Sequence, residues 1–270
     1  MPGSPSPHRA VRGASAQLAT FVIVSPRYAP LVGPAILFAH RGARAHAPEN
    51  TIEAFRLGLR LGATGLESDA WITSDGEIVL DHDGVVGGML RRRRIAELRR
   101  DQLPDHIPTL GELYEACGTD YELSLDVKDP EAADEVLRIG RDAGASRRLW
   151  LCHPDLELLE RWRAADDQVR LVNSTRLSAM EHGPERRAAQ LRELHVDAVN
   201  LHHSEWSAGM AALFHRFRRL GFGWDAQHLR TIRALLDAGV DGIFSDHVDR
   251  LVDAASAPAG PDLPELTEEP

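Results

Sequence analysis

Two stretches decide the fold: ILFAHRGARAHAPENT, residues 36–51, and GLESDAWITSDGEIVLDHD, residues 65–83. The apolar run Ile36-Leu37-Phe38-Ala39 has the composition of a buried strand and ends on His40-Arg41-Gly42. Residues 65–72 read as a second strand carrying Glu67 and Asp69. Side chains alternate across a strand, so these two carboxylates share a face. Ser74-Asp75-Gly76 is a tight-turn signal, and residues 77–81 read as a return strand. That hairpin carries His82-Asp83 back toward the same end. Between the two strands the sequence predicts a helix over 50–62. Asn50 and Glu53 have capping-box spacing there, and Gly62 ends the helix.

The same alternation continues outward. Further strands are expected at 121–127, 148–152, 169–173, 198–201, 222–226 and 242–245. Helices are expected at 109–117, 130–143, 156–165, 184–194, 206–220, 229–238 and 248–255. Residues 84–108 show little pattern beyond a short basic helix around 94–100. Short apolar strands alternating with helices are the mark of a parallel sheet buried on both faces. Eight such units in about 220 residues predict an α/β fold, a (β/α)8 TIM barrel, with a short β-hairpin after strand two. A doubly wound open sheet is the alternative. It calls for a glycine-rich dinucleotide loop after strand one, and HRGARAHAPEN is not one. The barrel domain is expected over 35–255. Residues 1–34 and 256–270, rich in Pro and small or acidic residues, read as disordered low-complexity tails.

Composition narrows the function. A hydrophobic content of 43% supports a sizeable core, and the formal charge of −10 argues against a nucleic-acid partner. The run Arg91–Arg94 is the local exception and reads as a solvated helix start. Cys117 and Cys152 follow no metal-ligand spacing, which favours a reduced, cytoplasmic setting. No apolar run approaches the roughly 18 residues of a spanning helix, so no stable membrane anchor is expected. Residues 18–24 are apolar after Arg9 and Arg12, but the run is short and lacks a small-residue cleavage site. Assembly into a homo-oligomer stays open. Lys128 is the one lysine among 31 basic residues. A position that keeps a compact ammonium where arginine is used everywhere else points to function.

In a barrel of this kind the active site lies at the C-terminal strand ends. His40, Glu67, Asp69, Asp126 and Lys128 fall at such ends on strands one, two and three, and the hairpin delivers His82. Three converging carboxylates make a hard oxygen site suited to Mg²⁺ or Ca²⁺. Buried together, they are costly without a cation. Glu49 and Asn50 read as loop and helix cap. His202 and His203 read as polar loop residues, with pocket lining as the alternative, and His153 is a further candidate for substrate contact.

The ordered set HRG, PENT, E-x-D, DG, HD and D-x-K, with Trp224 and the late string GVDGIFSD, resembles the glycerophosphodiester phosphodiesterase family over roughly residues 35–252. The resemblance implies that Glu67, Asp69 and Asp126 hold a divalent metal and that His40 and His82 are general acid and base. It implies Arg41 and Lys128 as phosphate-binding residues and Trp224 as a pocket residue. The expected activity is metal-dependent hydrolysis of a small-molecule glycerophosphodiester to sn-glycerol 3-phosphate and an alcohol. A lysophospholipase D-like action on lysophospholipids is a second reading, with Val85, Val86, Met89 and Leu90 as an apolar groove. A non-catalytic phosphate- or lipid-binding barrel is a third. The family pattern at strand three is usually E-x-K, so Asp126 brings its carboxylate to the site on a stem one methylene shorter.

Overall fold

The computed structural model describes residues 28–88 and 92–256. Eight parallel strands form the barrel wall: β1 (Ile36–His40), β2 (Gly65–Ile72), β6 (Glu122–Val127), β7 (Leu149–His153), β8 (Arg170–Ser174), β9 (Ala198–His202), β10 (Leu220–Trp224) and β11 (Gly242–Ser245). Each pairs with the next in that order, and β1 pairs with both β11 and β2, which closes the ring. Three short strands lie outside it. β3 (Ile78–Leu80) folds back antiparallel on the end of β2, and β4 (Val85–Val86) pairs with β5 (Arg93–Arg94). The helices are α1 (Ile52–Arg60), α2 (Leu110–Cys117), α3 (Ala133–Asp142), α4 (Leu156–Ala165), α5 (Gly183–Glu193), α6 (Ala208–Arg216), α7 (Leu229–Asp237) and α8 (Val248–Ser256).

The expected TIM barrel and its hairpin are present, and three local expectations are corrected. The cap of α1 is Thr51, whose hydroxyl accepts from Ala54 N–H, and not Asn50. Asn50 sits at φ 54°, and its side-chain oxygen instead accepts from the Ser68 hydroxyl at 2.8 Å. The seventh barrel strand runs two residues earlier than expected, because Gly221 and Gly223 hide the alternation that Leu220, Phe222 and Trp224 carry. Residues 93–102 form β5 and two 3₁₀ turns rather than a basic helix. The short turns let Ile95, Leu98, Leu103 and Ile107 all reach one small apolar cluster with Val79. Arg91, Met89 and Leu90 lie outside the described residues, as do 1–27 and 257–270 of the two expected tails. Residues 28–34 are tied to the barrel. Tyr28 N–H bonds to the Asp237 carbonyl, and Leu31 N–H bonds to the fully buried Asp241 at 2.6 Å.

The barrel interior is plugged by aromatic rings. Phe38 stacks on Phe244 with centroids 4.4 Å apart, and Trp150 meets Phe222 edge-on at 5.0 Å. Gly65 on the neighbouring strand leaves room for this plug, since a Cβ there would lie 2.5 Å from the Phe38 ring. Phe38 and His40 are two apart on β1, so the ring that fills the core and the imidazole at the mouth share the inner face. Truncating Phe38 to alanine opens a cavity under the site. The expected loss is about 3–5 kcal/mol of unfolding free energy, read from denaturant titration. A loss below about 1 kcal/mol would show that the plug is not the barrel's main packing element.

Candidate active site

Sheet register assembles the site. β1 and β2 place His40 beside Glu67, and β2 and β6 place Asp69 beside Asp126. Glu67, Asp69 and Asp126 each offer a carboxylate oxygen, and these atoms lie within 4.8 Å of one another. Lys128 Nζ closes one side, 2.9 Å from Asp69 Oδ1 and 3.0 Å from Asp126 Oδ2. Arg41 reaches in from the loop after β1. Its N–H donates to Glu67 Oε2 at 2.9 Å, and its Nε lies 3.6 Å from Asp69 Oδ2. The Arg41 backbone is left-handed, at φ 51°, and Gly42 follows at φ 78°. Only glycine fits at 42, because a Cβ would meet the Ala54 backbone at 2.6 Å.

The electrostatics favour a cation. Burial, with Asp69 and Asp126 adding to it against the pull of His40, pushes the Glu67 pKa up to about 7. Asp69 is raised as well, by burial first, although Lys128 opposes the shift. Asp69 Oδ2 is buried without a hydrogen-bond donor. An oxygen-only donor set, two of its three carboxylates buried and one with an unsatisfied lone pair, fits a hard divalent ion.

His40 is held from behind. Its Nδ1 lies 2.6 Å from Asp246 Oδ1, and its Nε2 faces Glu67 Oε2 at 3.7 Å. Burial pulls the imidazole down, but the Glu67 charge and the Asp246 hydrogen bond outweigh it, so the His40 pKa is raised. Asp246 in turn forms an ion pair with Arg44 at 3.5 Å, and its own N–H donates to Gln227 Oε1 at 3.0 Å. Glu49 binds both Arg41 and Arg44. Asp246 and Glu49 were missed as site residues. The signal for Asp246 was present, since it stands two positions after the inward-facing Phe244 at a strand end.

A cleft of about 390 Å³ opens at the site. His40, Arg41, Glu67 and Asp126 line one side, and Asn200, Trp224 and Asp225 line the other. Trp224 is therefore a cleft residue, with Arg176 over its ring at 5.2 Å. His82 follows Asp81, whose N–H bonds to the Asp69 carbonyl at 3.1 Å. The His82 imidazole is half-exposed and its Nδ1 pairs with Asp83 at 2.8 Å; no contact joins it to His40 or the three acids among the described residues. His153 faces outward against Trp162 and accepts Asp155 N–H, which makes it part of the α4 start. Substituting Asp246 by asparagine removes the carboxylate charge that supports the His40 proton. In metal-free protein the His40 titration midpoint is expected to fall, read from imidazole NMR shifts against pH. An unmoved midpoint would mean that Asp246 does not set the His40 charge.

A profile of the glycerophosphoryl diester phosphodiesterase family matches residues 40–250. A glycerophosphodiester phosphodiesterase of Caldanaerobacter subterraneus is 24% identical over 244 residues, covering 80% of this chain and 96% of the relative. Among solved structures, the glycerophosphodiester phosphodiesterase of Thermotoga maritima aligns with a TM-score of 0.71 and 23% identity, covering 82% of this chain and 98% of the other. An Oleispira antarctica phosphodiesterase in complex with the product sn-glycerol-3-phosphate aligns with a TM-score of 0.70 and 18% identity, covering 82% and 97%. The chain belongs to the glycerophosphoryl diester phosphodiesterase family and is an enzyme of that class.

Proposed function

We propose that the cleft hydrolyses a glycerophosphodiester to sn-glycerol 3-phosphate and an alcohol in a divalent-metal-dependent reaction. The observation that carries this reading is the carboxylate cage of buried Glu67 and Asp69 and part-exposed Asp126, bordered by His40 on one side and Lys128 on the other. Glu67, Asp69 and Asp126 would hold Mg²⁺ or Ca²⁺, which would supply charge neutralisation to the phosphodiester. Arg41 and Lys128 add fixed positive charge where the transferring phosphoryl group gathers negative charge. The Oleispira antarctica enzyme, of the same fold, was solved with sn-glycerol-3-phosphate, which supports this product class.

The proton traffic falls to two imidazoles. An attacking hydroxyl must lose a proton and a leaving alkoxide must gain one. His40, oriented through Nδ1 by Asp246, presents Nε2 to the cleft. His82 keeps Nε2 without a partner among the described residues while Asp83 holds Nδ1. Its root is fixed at the cage, because Trp71 Nε1 donates to the Asp81 carbonyl at 2.8 Å. The lysophospholipid reading asks for an apolar groove at the mouth. Val86 packs instead with Trp71 against the cluster of Ile95 and Leu98.

A panel of glycerophosphodiesters and lysophospholipids, assayed with chelator and then with Mg²⁺, Mn²⁺ or Ca²⁺ restored, tests the reading. The expected result is metal-restored release of glycerol 3-phosphate. His40→Ala and His82→Ala should each lower kcat by about 10²- to 10⁴-fold. Full turnover in chelator, or undiminished turnover in both histidine variants, would sink the proposal. Release from lysophospholipids alone would move the substrate class.

A further inference from the structure

The phosphodiester chemistry leaves one cluster at the cleft unused. We propose that His202, His203 and Asp225 form a separate divalent metal site, selective for a transition ion such as Zn²⁺ or Co²⁺. The β9–β10 register pairs His202 with Trp224, so His203 and Asp225 follow directly from matched strand ends. One donor atom from each of the three groups lies within 4.8 Å of the others. The imidazoles of His202 and His203 are 4.2 Å apart between centroids. His202 Nε2 faces Asp225 Oδ2 at 3.4 Å.

The surroundings favour ligation. Ser204 Oγ lies 2.7 Å from His202 Nδ1. The Ser204 backbone N–H donates to the same Nδ1 at 3.3 Å, so the two Ser204 contacts fix the imidazole with Nε2 directed toward Asp225. Gln227 donates to Asp225 Oδ1 at 3.2 Å, which leaves Oδ2 for the cluster. Asp225 is held at φ 62°, a costly left-handed conformation for a non-glycine residue. Imidazole donors suit Zn²⁺, Ni²⁺ and Cu²⁺, whereas the oxygen-only cage of Glu67, Asp69 and Asp126 suits Mg²⁺ and Ca²⁺. The two sites therefore select different ions. Trp224 and Asp225 line the same cleft as His40, so an ion held here changes the charge of the wall across from the cage. His46, His247 and Asp249 form a looser rival, because the His46 and His247 rings stand 6.2 Å apart between centroids, against 4.2 Å for His202 and His203.

Full-length protein is stripped with chelator, saturated with Mg²⁺ to occupy the oxygen cage, and titrated with Co²⁺ while visible absorption is recorded. The expected result is a saturable Co²⁺ spectrum of a nitrogen-containing site. His203→Gln and Asp225→Asn should abolish it or weaken binding at least about tenfold, and Ser204→Ala should weaken it roughly 10- to 100-fold. Glu67→Gln and His247→Ala should leave it intact. Circular dichroism of each variant without metal reports folding. In the unsubstituted protein, Zn²⁺ should also move the His202 and His203 imidazole NMR resonances, a readout independent of any variant. The proposal is overturned by absent Co²⁺ binding, by binding that survives His203→Gln and Asp225→Asn, or by binding lost in Glu67→Gln or His247→Ala.

Discussion

Three carboxylates packed within 4.8 Å of one another at the mouth of a barrel repel, and burial strengthens the repulsion. Much of the surrounding structure compensates for that repulsion. Lys128 bridges two of the acids, the Arg41 backbone N–H serves the third, and His40 takes the side that Lys128 leaves open. Below them Phe38 and Phe244, stacked on each other, and Phe222, tilted against both, fill the barrel interior. That apolar floor keeps the site a closed-ended cleft rather than a channel, and it lowers the dielectric in which these charges act.

The compensation extends as a chain of alternating charge. Asp69 faces Arg41, Arg41 binds Glu49, Glu49 binds Arg44, and Arg44 reaches Asp246, which holds His40. The chain links the loop after β1 to the loop after β11, so both edges of the β1–β11 seam are pinned around one imidazole. The left-handed Arg41 backbone is tolerable because three partners determine it at once: Glu67 on its N–H, Asn50 N–H on its carbonyl, and Glu49 on its guanidinium. Positioning and charge balance are here the same set of contacts.

The opposite wall of the cleft is built differently. Asn200, Trp224 and Asp225 bring one acid where the cage brings three, and His202 and His203 bring nitrogen donors that the cage lacks. One barrel mouth thus presents an oxygen-rich side to a phosphate and a nitrogen-containing side to whatever lies across from it. Strand order explains the division. Glu67, Asp69 and Asp126 come from adjacent β2 and β6, whereas His202 and Asp225 come from adjacent β9 and β10.

Local order was legible in the sequence. Period-two alternation placed Glu67 with Asp69, and short apolar runs marked all eight barrel strands, because both signals reside within a few consecutive residues. The start of β10 was misread where glycines carry no pattern, and Asn50 was taken for a cap because its spacing to Glu53 mimics one. The company each residue keeps is set at long range. Asp246 stands 206 positions from His40, and nothing local announces that they meet. They meet because the sheet closes on itself and sets β11 beside β1, a pairing that depends on the geometry of the whole ring. Alternation along each strand sets which side chains face inward, and barrel closure sets which of them touch.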